Sequence, residues 1–482
     1  MAICTAATVS MTGAYGSLVE HGATAAIPGA SPPLHLPRLG WRGWRLDALD
    51  ARILAIAVPA LGSLLVEPLY VLTDTAIVGR LGETPLAGLA LAAVVLNTLV
   101  WVFNFLSYGT TVRVAVRRGR GDAAGGAADA LAALWLSAAI GIAVAAVIGL
   151  GAHGLASLLG DDPGAIDAAT TYLRISALGL PFHFLTIASI GYLYGLPDTV
   201  RPFVVAASAN AVNLAVELWL VFGLDLGIAG SAWGTVVAQA LGGVAMLAIV
   251  LPRLRADGLR RWSADLGVMV EVLKVGGHLV QRTGFLLLAL AMSTTAASAV
   301  GTDALAGHQI ALQLFLFLAI GVDMFKVAGQ ALVGHALGAE DTVDAHRVVH
   351  HLYGWGWRSG LVLTLGVVVL APVLPVVFSG EVRVQDAATV ALVGLAAMQL
   401  PGAFTFVLDG VLMGANDFRN LRWQTTIAFA VSLPVFVAVR VWPSLGLPTV
   451  WFGLWLWMTV RAGFNHHRVR GGRWTASAAT VR

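Results

Sequence analysis

Several acids and amides lie inside apolar runs that otherwise exclude polarity: Glu67 and Asp74, then Asn210, Asn213 and Glu217, then Asp323 and Asp409. A carboxyl kept from water favours its uncharged form, so such a group can take up and release a proton near neutral pH. Carboxylate, amide and hydroxyl oxygens suit a hard cation such as Na⁺ equally well. Asn213 and Glu217 stand one helical turn apart on one face, and Asn210 extends that face by another turn. Glu67 and Asp74 are seven residues apart, two turns along a helix that Pro59 and Pro68 are placed to bend. The bland alternative is a set of polar contacts tying helices together, with Glu67 beside a proline satisfying freed backbone.

The elements that hold these groups must be membrane helices. Of 482 residues, 58% are hydrophobic and 11% charged, against roughly 25% charged in a soluble globular protein. With 29 Lys and Arg against 26 Asp and Glu, the net charge of +3 gives no ground for a nucleic-acid partner. One cysteine, Cys4, excludes a disulfide framework and a cysteine-rich metal site. From Ile53 onward, apolar stretches recur that are long enough to cross a hydrocarbon core of roughly 30 Å. They give twelve expected spans, at 51–79, 86–112, 127–151, 166–196, 201–223, 228–252, 265–300, 305–334, 348–378, 386–413, 421–440 and 446–464. Runs this continuous satisfy their backbone as helices, not as barrel strands.

Arginines mark one side of the membrane: Arg38, Arg42 and Arg45, then Arg117, Arg118 and Arg120, Arg253 to Arg261, Arg419 and Arg422, and Arg468 to Arg473. The positive-inside rule places that side, with both termini, in the cytoplasm of a cell that carries the chain as a multi-pass protein of its inner membrane. Residues 1–50, rich in Ala, Gly, Pro and Ser, are expected to form a mobile extension and not a cleaved signal. Residues 51–252 form a first lobe, 253–264 a basic linker, 265–464 a second lobe and 465–482 a basic tail.

An internal repeat organises the two lobes. Leu86-Ala87-Gly88 recurs as Leu305-Ala306-Gly307, Gly119 and Asp122 as Gly338 and Asp341, Asp198 as Asp417, and Gly82 as Gly301, all at a shift of 219. Two six-helix units in tandem insert the same way up, the parallel-repeat class of transporter in which rocking gives alternating access. The acids do not follow the repeat. Asp74 faces Ser293 and Glu217 faces Phe436 in the other copy, while Asp323 replaces Asn104 and Asp409 replaces Ile190. A charge held at mid-membrane costs roughly 2.5 to 3.5 kcal/mol, so each acid must be protonated, paired, ion-bound or wetted.

At these residues the chain resembles the multidrug and toxic compound extrusion (MATE) family, and more closely its DinF-like branch. The matching stretches are Pro68-Leu-Tyr-Val-Leu-Thr-Asp74-Thr-Ala-Ile-Val-Gly79-Arg-Leu-Gly82, Asn210-Ala-Val-Asn213-Leu-Ala-Val-Glu217, Gly227-Ile-Ala-Gly230-Ser-Ala-Trp-Gly-Thr235, Leu305-Ala-Gly-His-Gln309-Ile, Gly329-Gln-Ala-Leu-Val-Gly334 and Val407-Leu-Asp409-Gly-Val-Leu-Met-Gly414. The resemblance implies an all-α monomer of twelve helices in two lobes, with a V-shaped cavity that exports an amphipathic, often cationic compound in exchange for H⁺ or Na⁺. It assigns Asp74, Asn213, Glu217 and Thr235 to ion coupling. The residues themselves place Asn210 and Glu67 beside that set, and Asp323 and Asp409, with Gln309 and Lys326, are expected to line the substrate cavity, the two acids contacting a cationic substrate. Two departures stand out: Glu217 where an aspartate is usual, and Lys326 where a small apolar residue is usual, so that Asp323 and Lys326 could form an ion pair.

No metal or other cofactor is expected. His346 and His350 have zinc-like spacing with His351 adjacent, but no nearby acid completes them. Trp355, Trp357, Trp451, Trp455 and Trp457, with Trp41 and Trp44, read as an interfacial belt. A membrane-embedded enzyme would need a reactive constellation that does not stand out. A lipid-linked precursor flippase of the same superfamily would need a cationic cavity.

Overall fold

The computed structural model describes residues 46–263 and 265–477. The expected N-terminal extension, with Arg38, Trp41, Arg42, Trp44 and Arg45, lies outside the described residues apart from its last positions. There Asp47 accepts hydrogen bonds from Leu49 and Asp50 and starts the first helix at Ala48, three residues earlier than the apolar run suggests.

The described residues hold helices and no strand. In the first half these are α1 (Ala48–Gly79), α2 (Glu83–Phe103), α3 (Phe105–Gly119), α4 (Ala123–Leu159), α5 (Pro163–Ala177), α6 (Leu180–Gly195), α7 (Val200–Leu218) with a π turn at Trp219–Gly223, and α8 (Gly227–Ala256). In the second half they are α9 (Leu266–Val300), α10 (Thr302–Gly338), α11 (Thr342–Leu370), α12 (Leu374–Phe378), α13 (Val382–Gly414), α14 (Phe418–Val441) and α15 (Gly446–Arg470). Helices α2 and α3 form one span, and α5 and α6 are two arms of another bent by 55°. Nine spans among the described residues are long and apolar enough to cross a membrane, or ten with the bent pair. Helices α11 and α15 complete the twelve. Their interiors carry polarity that the fold uses: Arg358 stacks on Trp355, and Arg461 and Asn465 are fully buried.

The repeat is visible in backbone conformation. Gly82 (φ +114) and Gly301 (φ +148) turn equivalent corners, in a region that a Cβ disfavours. Asp122 caps α4 by accepting from the Gly125 N–H at 2.8 Å, and Asp341 caps α11 by accepting from Asp344 at 2.8 Å. Pro197 and Asn416 both take positive φ, and the N–H groups of Asp198 and Asp417 donate to Leu193 and Leu412 at 2.9 and 2.8 Å. Each of these pairs is separated by the same shift.

The halves meet where α1 and α3 pack on α9, α10 and α11. At the arginine-rich end Gly119 lies against the backbone of His335 and Gly338, and Gly338 against Val116, so a side chain on either would collide with main chain. Small residues at a crossing let membrane helices approach closely, and here the two glycines are repeat equivalents. Among the described residues, the hydrogen bonds that cross the seam run from Tyr108 with Lys326 and Gln330, through Arg113 with Glu271, to Asp50 with His351 and Trp355, all toward that same end. The tryptophan belt is only partly met. Trp451 and Trp457 are buried in the second half and Trp355 donates to Asp50 at 2.9 Å, because wide aromatic rings fill the gaps between long helices.

Candidate functional site

In the first half α1, α5 and α7 pack around α8. Asp74 sits 5% exposed on α1. Its Oδ2 accepts from the Tyr172 hydroxyl of α5 at 3.1 Å and its Oδ1 from Ser231 of α8. One turn before Asp74, the Tyr70 hydroxyl meets Thr235 Oγ1 at 2.5 Å, and Tyr172 reaches the same oxygen at 3.4 Å. Thr235 also donates to the Ser231 carbonyl at 3.2 Å. Ser231 and Thr235 stand one turn apart, as do Tyr70 and Asp74, so two helix faces close on each other.

Glu217 and Asn213 face this cluster from α7, buried at 0% and 1% exposure. Glu217 is close enough to interact with both Asp74 and Ser231. Gly234 allows it: a Cβ there would stand 3.0 Å from the Glu217 Cβ, so α8 approaches only because that position is bare. Both carboxylate oxygens of Glu217 and both amide atoms of Asn213 lack a hydrogen-bond partner within the protein. An unsatisfied buried polar group costs about 1 to 3 kcal/mol, more when charged. A cluster of them beside an engaged carboxylate has the oxygen atoms needed to hold a proton or a small cation.

Asp74, Glu217 and Thr235 therefore come together, with Asn213 buried one turn before Glu217 on the same helix. Asn210 does not join them: its Nδ2 donates to the Val66 carbonyl at 3.0 Å, tying α7 to α1 near Pro68. Glu67 is exposed on α1 and, among the described residues, makes no hydrogen bond to the cluster. Tyr70, Tyr172 and Ser231 were not singled out from sequence. Tyr70 and Ser231 could have been, since each stands four residues before a selected oxygen donor, whereas Tyr172 carries no local signal.

The second half is built differently. Asp409, fully buried on α13, accepts from Arg282 of α9, from Arg461 of α15 at 2.8 Å and from Asn465 at 2.8 Å. Asp323 of α10 accepts from Lys326 at 2.6 Å, and Lys326 reaches across the seam to the Tyr108 hydroxyl at 3.3 Å. Against the expectation that Asp323 and Asp409 contact a cationic substrate, Asp409 is sealed between two guanidinium groups and Asp323 is paired with an ammonium. The Asp323 and Lys326 pair raised by the sequence does form. Gln309 is half-buried on the same helix, about 21 Å before Asp323 at 1.5 Å per residue, and is not part of this cluster. Arg461 lies inside the expected twelfth span, and the rule used to select buried acids applies equally to that base.

The fold also supplies acids that the histidine spacing lacked. Asp47, Asp50 and His351 place ligand atoms within 4.8 Å of one another. His351 Nδ1 lies 3.1 Å from Asp50, and Trp355 shares that carboxylate. His346 instead contacts the Thr342 carbonyl at 2.6 Å and meets the Trp474 ring edge to face. The three atoms join α1 to α11 across the seam.

The MatE family model matches residues 59–219 and 282–439. The chain is 29% identical over 447 residues to Protein DETOXIFICATION 44, chloroplastic, of Arabidopsis thaliana, covering 89% of this chain and 84% of that one. It is 25% identical to DNA damage-inducible protein F of Escherichia coli over 90% and 95% of the two chains. It is 29% identical to a probable multidrug resistance protein NorM of Bradyrhizobium diazoefficiens over 86% and 92%. In fold it is similar to a MOP superfamily transporter from Pyrococcus furiosus (TM-score 0.81, 18% identity, 90% and 97% covered) and to the Vibrio cholerae MATE transporter VcmN in its bent form (TM-score 0.79, 18% identity, 90% and 98% covered).

Proposed function

Starting from the fact that this chain belongs to the MatE family of membrane efflux transporters, we propose that it exports an amphipathic small molecule in exchange for H⁺ or Na⁺ bound at Asp74 and Glu217. Family membership makes it a transporter and not an enzyme. The observation that carries the coupling role is the pair of unpartnered Glu217 oxygens beside Asp74, which already holds two hydroxyl donors. A proton or Na⁺ is the partner these oxygens lack, and Asn213 and Thr235 supply further oxygens around it.

The two occupied states differ in charge at the centre of four helices. Loading a cation relieves the repulsion between the two carboxylates and loosens the hold of Asp74 on Ser231 and Tyr172. Helix α1 answers most readily, because Pro59 and Pro68 leave it short of internal hydrogen bonds. With the arginine-rich end in the cytoplasm, the contacts between the halves lie toward the inside, and on this reading an external proton reaches the site from the opposite end. One proton moving down about 150 mV yields roughly 3.5 kcal/mol, enough for a more than hundredfold gradient of a neutral substrate.

The test is dye efflux from vesicles holding the full chain, with a pH or Na⁺ gradient imposed in separate arms. Asp74→Asn with Glu217→Gln is expected to abolish gradient-driven efflux. Full efflux with both replaced would refute the coupling role.

A further inference from the structure

Charge in one buried cluster of the second half does not balance. Three cations, Arg282, Lys326 and Arg461, are each no more than 7% exposed and share two carboxylates, Asp323 and Asp409. The cations lie close enough to repel one another: Arg282 acts on both Lys326 and Arg461. Two guanidinium groups share the single carboxylate of Asp409, so the cluster carries one more positive charge than negative in a medium where uncompensated buried charge is strongly destabilising. The Nε–H groups of Arg282 and Arg461 have no acceptor within the protein, while Oδ1 of Asp323 and Oδ1 of Asn465 in the same cluster have no donor. The cluster is not closed off. Lys326 ends at Tyr108 of the other half, and the Asp323 side chain is 24% exposed.

We propose that this cluster is the substrate's anchoring point and that the substrate is an amphipathic organic anion, with one carboxylate or phosphate group on an apolar body. The anion takes its place beside Lys326 on the seam and supplies the missing negative charge. Asp323 is its internal competitor, holding Lys326 at 2.6 Å until a substrate acid takes over. This inference rests on the transport reading above and names the substrate class of that transporter. It also changes the electrical balance of exchange. For a monocation exchanged against H⁺ the charges cancel, whereas for a monoanion they add, and the membrane potential acts on both movements.

The probes are fluorescein and pyronin Y, an anion and a cation built on the same xanthene ring. Binding of each to the full chain in detergent is read by fluorescence anisotropy at a pH where fluorescein is ionised. Fluorescein is expected to bind more tightly than pyronin. Lys326→Gln is expected to weaken fluorescein by about tenfold or more, the loss of one charge-assisted hydrogen bond, and Lys326→Arg to restore most of it. Asp323→Asn, which frees Lys326, is expected to tighten fluorescein binding, and this sign carries the test should the Lys326→Gln protein fail to fold. A site for cations gives the reverse sign for Asp323→Asn.

Displacement of fluorescein by decanoate identifies a free amphiphile, and displacement only by a lipid-borne phosphate in mixed micelles identifies a headgroup, either one placing the anion at Lys326. Preference for pyronin, no fluorescein binding, or a fluorescein affinity indifferent to both substitutions overturns the proposal. Because binding is read without a gradient, a failure of ion coupling leaves this result intact, and a failure here leaves the Asp74 and Glu217 site intact.

Discussion

At the corners, the halves of this transporter are copies: Gly82 with Gly301, Asp122 with Asp341, and Pro197 with Asn416 adopt matching conformations. In the interior they part. The first half holds Asp74 and Glu217 with hydroxyls and an amide and no cation among their hydrogen-bond partners, while the second holds two acids tied to three bases. The repeat keeps the corners that start and end the helices, whereas the buried charge differs between the halves: acids without a basic partner in one, and three bases around two acids in the other. Acids of the same type thus stand in opposite surroundings, and on the proposals above this gives them opposite roles.

The sharpest way to break this comparison is to remove one acid from each half. Asp409→Ala strands two buried guanidinium groups, and losing one partner of a buried pair costs about 3 to 5 kcal/mol. Little folded protein is expected by size-exclusion chromatography. Glu217→Gln removes an acid that has no partner to lose. Its melting temperature in detergent is expected to match or exceed that of the wild type, while gradient-driven efflux is lost. Equal destabilisation by the two changes would erase the distinction between the halves.

Smaller effects test the frame that the halves share. Gly234→Ala pushes a methyl to 3.0 Å from the Glu217 Cβ, and is expected to lower ion-driven efflux severalfold by shifting α8, at a stability loss of about 1 to 3 kcal/mol. Gly242, whose Cβ would have ordinary clearance at 3.6 Å from Ala209, is the control on the same helix. Smallest are the paired caps: Asp122→Ala and Asp341→Ala should each cost about 1 kcal/mol, read as matching shifts in thermal melting. The Gly125 N–H, with help from Arg117, holds the Asp122 carboxyl below its ordinary value of 3.8. Its contribution is therefore present above the ordinary carboxylate range and fades as pH falls through the lowered one, so the Asp122→Ala deficit should shrink in acid.

Helices and repeat were legible because both are written locally, in apolar length and in glycines and aspartates at a constant shift. The break at Asn104 and the bend at Leu178 and Gly179 interrupt runs that read as continuous, because composition there stays apolar through the bend. In the site, Asp74, Asn213 and Glu217 were legible as polarity out of place. What Asp409 does was not, since Arg282 and Arg461 approach it from α9 and α15, respectively 127 and 52 residues away. A lone acid in sequence shows that compensation exists without showing whether a cation, a proton or a base provides it. For the same reason Trp451 and Trp457 read as interfacial and prove to be core, and His351 finds its acids on α1.

The claim at the centre is that the first half, and not the second, binds the coupling cation. Infrared difference spectroscopy of the full chain in lipid, stepped in pH with and without Na⁺, follows the carbonyl band of protonated carboxyls directly. The expected result is a titrating band that disappears in Asp74→Asn with Glu217→Gln, persists in Asp323→Asn, and is depleted by Na⁺ if that ion is the one coupled. A band that survives the first-half substitutions, or that vanishes with Asp323→Asn, would contradict it.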